Sequence, residues 1–200
     1  IGAQAVVADI GEDYLLDPLD SALEAAHAIV VPAILGIRAD CRRYMSLGAP
    51  VIADWAQYAP HELGLPDDLF DIAILSFEAT KLIAAGEGGA ILFRDADIAQ
   101  RARKAKTIAG SGLKLNLYPL SDLQASLACS QLAQLDGFLA RRKYIAARYC
   151  EQLGIAPQTG ANFRFVFRVP DAASLLKDFL RRGVAAKRPV DPPVHFLRPS

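Results

Sequence analysis

The chain alternates short apolar runs of strand length with stretches in which apolar residues recur at helical spacing. Val6-Val7-Ala8-Asp9-Ile10 reads as a strand. Asp17 followed by Pro18 predicts a helix start, with the cap and the first-turn proline in the usual order and Leu19, Leu23 and Ala26 as the apolar stripe. Ile29 to Leu35 is a continuous apolar run, the pattern of a buried strand, although Pro32 cannot donate to a ladder. A short helix from about Asp40 to Leu47 is expected to stop at Gly48. Three further strands follow: Pro50 to Asp54, ending on an acid; Ile72 to Ser76, ending on a hydroxyl; and Gly89 to Phe93, after a glycine-rich turn. A helix from about Asp97 to Ala109 comes next.

The second half changes character. From about Ser121 to Leu153 the pattern is helical, with Leu123, Leu127, Leu132, Leu135 and Leu139 as the stripe and Gly137 placed to bend it. Phe163 to Val169 alternates bulky and arginine positions, as a half-buried strand does. Asp171 caps a helix that runs to Arg182 and stops at Gly183. Strand–helix alternation implies an α/β domain with a largely parallel sheet, and the later elements imply a smaller α+β domain. The division expected is residues 1–135 for the large domain and 136–200 for the small one, with the long helix joining them.

Composition narrows the function classes. The 200 residues are 52% hydrophobic and 22% charged, which suits a globular chain. Lys+Arg and Asp+Glu both number 22, so no overall positive field exists to hold a nucleic acid. The short basic clusters, Arg101, Arg103, Lys104 and Lys106, then Arg141, Arg142 and Lys143, read as solvated helix faces. No apolar run approaches the roughly 20 residues of a membrane span, and no signal-peptide pattern opens the chain. Three widely spaced cysteines make no CxxC pair, so neither a metal site nor a disulfide framework is expected. A reducing cytoplasm is the expected location. Both ends read as cuts through a longer protein.

Ligands of open α/β sheets lie beyond the carboxyl ends of the strands. Two successive strands here end on Asp54 and Ser76, and Lys81 follows in Ser76-Phe77-Glu78-Ala79-Thr80-Lys81, with Gly86-Glu87-Gly88-Gly89 beyond it. A carboxylate, a hydroxyl, an amine and flexible glycines are thus expected at one sheet edge. Pyridoxal 5′-phosphate (PLP) needs this set: a lysine amine for its aldehyde, a carboxylate for its ring nitrogen, and hydroxyls with backbone N–H groups for its phosphate. Each signal alone is weak, since a lysine after a strand is usually solvated and GEGG is usually a turn. Their order along the chain gives the set its weight.

At these residues the chain resembles the DegT/DnrJ/EryC1/StrS aminotransferases, PLP-dependent sugar aminotransferases of the aspartate aminotransferase fold (fold type I). The likeness rests on Val51-Ile52-Ala53-Asp54-Trp55-Ala56-Gln57, on Ser76 to Lys81 with Gly86 to Ala90, and on Ser121 to Leu127 with Gln131-Leu132 and Arg141-Arg142. It implies that Lys81 forms the Schiff base and then acts as general acid/base. It implies that Asp54 pairs with the pyridine nitrogen, Gln57 lies against the ring, and Ser76 binds the phosphate. Asn116 would help hold the phosphate from a neighbouring subunit, and His195 would lie near the substrate; a surface histidine is the other reading of His195. The implied reaction moves an amino group from an amino acid such as glutamate to a keto sugar nucleotide, in a homodimer.

Departures from the family pattern concern substrate more than cofactor. Ala53 stands where an acid often precedes the key aspartate, Ala33 where a histidine often follows the third strand, and Pro119 where a basic residue follows the asparagine. An N-terminal part of the large domain is also expected to be missing. Two other readings stay open: a PLP-dependent sugar dehydratase, against which Lys81 argues because that branch replaces it with histidine, and a non-catalytic relative. A nucleotide-binding Rossmann oxidoreductase lacks its GxGxxG after the first strand.

Overall fold

A computed structural model describes residues 2–60, 70–107, 120–157 and 160–190. The chain forms two compact units, one running to Phe165 and the other starting at Val166. The first holds a four-stranded sheet of β1 (Ile29–Pro32), β2 (Val51–Asp54), β3 (Ile72–Ser76) and β4 (Gly89–Phe93), side by side in chain order. The first three are parallel and β4 runs antiparallel to β3. The sheet is therefore largely parallel, as the alternation predicts. Register aligns Pro32 with Asp54, and Asp54 with Ile74.

Alternation along the strands separates two faces. Ile29, Val31, Val51, Ala53 and Ala73 are buried against Leu23, Ala39, Cys41, Tyr44, Trp55 and Phe70. Trp55 is locked edge-on against Tyr58 and Phe70, with ring centroids 5.7 and 5.0 Å away. The other face is open among the described residues: Val30 is 52% exposed, Ile74 38% and Ile91 55%. The strand at Ile29 is thus buried on one face only, and it ends at Pro32 rather than Leu35. The chain then tightens into a one-turn 3-10 segment, Ile34–Gly36, in which Leu35 takes a left-handed φ of 60°.

Other elements depart from the sequence reading for local reasons. Val6 to Ile10 is not a strand; only Ile10 pairs, with Leu16, and Val6 and Val7 lie exposed. Strand residues need a neighbour for their N–H and C=O groups, and the described residues form no further pairing there. The helix expected from Asp17 is a 3-10 turn, Ser21–Leu23, capped by Asp20, whose carboxylate accepts N–H groups from both Ala22 (2.8 Å) and Asp9 (2.6 Å). Asp17 instead closes its own turn by accepting from Leu19 at 3.0 Å.

Among the described residues four α-helices complete the unit. α1 (Arg42–Met45) is shorter than expected. α2 spans Ala96–Thr107, with Asp95 accepting from Asp97 and Ile98 at its start. α3 (Asp122–Ala133) opens on a reciprocal cap between Ser121 and Gln124. α4 (Leu135–Leu153) closes at Gly154. The interruption falls at Gln134 (φ −107°, ψ 0°) and not at Gly137, which sits inside α4. Leu135, the first residue of α4, is buried, and a glycine in mid-helix costs only about 1 kcal/mol and forces no break.

Among the described residues no strand is assigned over the expected Phe163 to Val169. Asn162 has φ 49°, and the N–H groups of Ala161 and Arg164 bond to the carbonyls of Gly36 (2.8 Å) and Leu35 (3.4 Å), which holds the start of this segment as a loop. In the second unit α5 (Ala172–Arg181) is capped by Asp171, which accepts the Ser174 N–H at 3.0 Å, and it is followed by Gly183. No described helix is long and apolar enough to cross a membrane.

Gly36 is where the two loops of the first unit meet. It has φ 88°, and a Cβ there would stand 2.7 Å from the Phe163 backbone nitrogen. Gly36→Ala is therefore expected to lower stability by at least about 2 kcal/mol. Gly137→Ala, in α4 with open space around it, is expected to raise stability by up to about 1 kcal/mol. Denaturant midpoints of the two variants should move in opposite directions.

Candidate active site

The carboxyl ends of the parallel strands define the site. Asp54 is aligned with Ile74, and Ser76 lies two residues further along β3, so both side chains leave the sheet on the same, open face. The Asp54 carboxylate is half-buried; one oxygen accepts the Ala56 N–H at 3.0 Å. The ion pairs formed among the described residues join Arg42 to Asp40, Arg94 to Asp71 and Arg181 to Asp178, so none of these cations neutralises Asp54. The Ser76 hydroxyl oxygen accepts the Glu78 N–H at 3.4 Å.

The segment after Ser76 is a structured return. The β3–β4 ladder ends at the Ser76–Gly89 pair. Beyond it the Phe77 N–H bonds to the Gly88 carbonyl (2.8 Å) and the Ala79 N–H to that of Gly86 (2.9 Å). Gly89 admits no side chain, because a Cβ would lie 2.5 Å from the Leu75 carbonyl oxygen. At the tip, the Lys81 N–H bonds to the Glu78 carbonyl at 2.9 Å. The Glu78 carboxylate accepts the Thr80 hydroxyl (2.6 Å) and N–H (3.0 Å). Leu82, Ile83 and Ala85 then bury themselves with Ala59, Ala128, Leu135, Leu139 and Phe163 in a second apolar cluster. Lys81 is left half-buried, its ammonium 5.7 Å from the centre of the Phe163 ring.

Gln57 serves the backbone in this structure. Its side-chain oxygen accepts the Leu35 N–H at 2.8 Å, which satisfies a left-handed residue just past β1. Asn116 and His195 lie outside the described residues.

Phe163, beside Lys81, and its own neighbours Arg164 and Arg142 were not singled out as site residues from the sequence. The Arg164 guanidinium lies 4.1 Å from the Phe163 ring centre and donates to the Phe163 carbonyl at 3.1 Å. Arg142 donates to the carbonyls of Asn162 (3.4 Å) and Phe163 (3.3 Å). It is half-buried, unlike exposed Arg141 and Lys143, so the reading of this cluster as a solvated face fails for Arg142. The signal was present: Leu135, Leu139, Ala146 and Cys150 are the buried stripe of α4, and Arg142 falls on it.

A largely parallel sheet with an acid and a hydroxyl at its carboxyl edge, followed by a lysine on a fixed loop, defines the scaffold of a cofactor-binding α/β transferase. The chain belongs to the DegT/DnrJ/EryC1/StrS aminotransferase family, whose model matches residues 1–166. The family uses PLP, and solved proteins of this fold carry the cofactor in PLP and PMP forms. The chain is 30% identical to the spore coat polysaccharide biosynthesis protein SpsC of Bacillus subtilis, over 74% of this chain and 45% of that protein. It is 28% identical to GDP-perosamine synthase of Caulobacter vibrioides, over 66% of this chain and 41% of that protein. The structure of S. venezuelae DesV, a complex with a ketimine intermediate, aligns with a TM-score of 0.78 at 25% identity, covering 95% of this chain and 58% of DesV. The chain thus spans about half the length of the relatives it matches.

Hydrogen bonds from the Thr80 hydroxyl, and then from its N–H, hold the Glu78 carboxyl below its usual range. A depressed folded value means that this tie is complete above about pH 4.3, the ordinary glutamate value, and is lost as pH falls through the lower one. Thr80→Val removes the hydroxyl and is expected to move the Glu78 midpoint up toward about 4.3, read from its carboxyl-carbon NMR shift. An unchanged midpoint would contradict this description of the loop.

Proposed function

We propose that this chain contributes the lysine-bearing part of a PLP-dependent aminotransferase that moves an amino group from an amino acid, glutamate, to a keto sugar nucleotide. The observation that carries the reading is the shared face: Asp54 and Ser76 leave adjacent parallel strands on one side, and the Lys81 loop begins where β3 ends. The donor set fits the cofactor. It offers a half-buried carboxylate with no described cation paired to it, a hydroxyl, and an amine on an anchored loop. The names of two relatives, a polysaccharide biosynthesis protein and a GDP-perosamine synthase, support a sugar substrate.

PLP, when bound, supplies an electrophilic carbon and an electron sink. The chain's residues supply the rest. Lys81 holds the cofactor through its side-chain nitrogen, and it takes and returns a proton at the substrate carbon. Asp54 holds the proton of the ring nitrogen, with one of its oxygens already oriented by the Ala56 N–H. Ser76 donates to the phosphate. Gln57 flanks the ring while it satisfies Leu35. Asn116, from a neighbouring subunit, and His195, toward the substrate, would complete the assignment, in a cytoplasmic homodimer.

Titration with PLP, borohydride reduction and peptide mapping test this reading. A covalent label at Lys81 is expected, and it should be absent in Lys81→Ala. In the protein that carries this chain, Lys81→Ala should lower amino transfer by at least about 100-fold. A label at another lysine, or none, sinks the proposal.

A further inference from the structure

Phe163 and Lys81 are distant in the chain, and each is fixed in place separately. Leu82 and Ile83, the two residues after Lys81, are buried in the same apolar cluster as Phe163. The Lys81 N–H is tied to the Glu78 carbonyl at 2.9 Å. The segment carrying the ring has its own anchors. The N–H groups of Ala161 and Arg164 bond to the carbonyls of Gly36 and Leu35, and Arg142 donates to the Phe163 carbonyl at 3.3 Å. Phe163 itself is buried. The ring is therefore a fixed object, and the loop delivers the lysine to it.

Among the described residues the Lys81 amine has an aromatic partner and no ion pair. Its ammonium stands 5.7 Å from the Phe163 ring centre, inside the roughly 6 Å over which a ring face attracts a cation. Glu78 feels the charge of Lys81, but its carboxylate is engaged by the Thr80 hydroxyl at 2.6 Å and N–H at 3.0 Å. The ring carries a second cation, the Arg164 guanidinium, 4.1 Å from its centre. Two cations on one ring stand within about one Debye length, about 10 Å at 0.1 M salt, so they repel one another. Arg164 therefore competes with Lys81 for the ring.

We propose that Phe163 is a positioning residue for Lys81, whose amine rests on its ring whenever the lysine is not bonded to the cofactor. The proposal rests on the reading of Lys81 as the reacting amine and adds what holds that amine between bond-forming steps. A lysine has a flexible four-carbon stem and a strongly hydrated end, so an amine with no contact spreads through solvent. An acid in the place of the ring would hold it as an ion pair that has to be broken at each step. A ring face attracts the ammonium more weakly and has no charge to leave unpaired when the amine departs. Arg164, on the same ring, keeps that hold loose.

Competitive acylation tests this without any catalysis. The protein carrying this chain, freed of cofactor with hydroxylamine, is treated with trace acetic anhydride, and peptide mass spectrometry compares Lys81 with exposed Lys143 and Lys177. Phe163→Leu keeps an apolar side chain but removes the ring face, and it should raise the relative labelling of Lys81 about two- to fivefold. Phe163→Tyr keeps the ring and should leave labelling within about twofold of the original. Arg164→Gln, at an exposed position, frees the ring and should lower Lys81 labelling about twofold. Labelling unchanged in Phe163→Leu overturns the proposal. An equal rise in Phe163→Tyr also overturns it, because that marks a packing effect. A rise in Glu78→Gln with none in Phe163→Leu assigns the hold to Glu78 instead and overturns it as well. Should Phe163→Leu fail to fold, Arg164→Gln decides alone: a fall upholds the proposal and no fall overturns it. Labelling that follows Phe163 in a protein that takes no PLP at Lys81 on borohydride reduction upholds the hold of the ring and refutes the aminotransferase reading alone.

Discussion

The antiparallel return of β4 along β3 is the constraint from which the site follows. A parallel strand ordinarily leaves the sheet edge into a crossover helix. Here the chain after Ser76 has to come back to Gly89, which pairs with the residue it just left. The intervening loop is pinned at its base by the bonds from Phe77 to Gly88 and from Ala79 to Gly86. It is pinned at its tip by buried Leu82 and Ile83. The apolar anchors and the hydrogen bonds together hold the loop that carries Lys81.

A second constraint ties this loop to the far side of the sheet. Leu35 is a non-glycine residue in left-handed conformation, a cost of about 1–2 kcal/mol. Its N–H is taken by Gln57, its carbonyl by the Arg164 N–H, and its side chain is buried. The next residue, Gly36, lies against the Phe163 backbone. Strain of this kind persists where the surroundings over-determine it. The result is that the end of β1, the residue three past Asp54, and the aromatic ring under Lys81 form one connected assembly. Gln57 therefore has a structural duty whatever it also does beside a ring.

Legibility from the sequence followed the range of the interactions involved. Ile72 to Ser76 and Gly89 to Phe93 coincide with the predicted strands because their apolar runs are bounded by local signals. Asp54, Ser76 and Lys81 could be grouped because strand ends converge whatever the detailed packing. Val6 to Ile10 has strand composition but forms no ladder, and pairing is a property of neighbours rather than of the run itself. Gly137 looked like the break in the long helix, yet the break falls at Gln134, just before buried Leu135. Arg142 was hidden by its charge, although its helical position placed it among buried residues. Phe163 joins the site only through contacts with residues more than eighty positions earlier in the chain.

The open face of the sheet decides how strongly the assembled groups can act. Val30, Ile74 and Ile91 are exposed on the side from which Asp54 and Ser76 project. Two unit charges about 4 Å apart attract by about 1 kcal/mol in water but by about 4 kcal/mol at an effective dielectric of 20. In the role proposed for Asp54, its hold on a ring-nitrogen proton would scale the same way. Phe163 limits water on one side of Lys81, and the second apolar cluster backs the loop. The sheet edge therefore fixes direction and spacing, while the strength of the carboxylate's interaction depends on how much apolar surface covers that face.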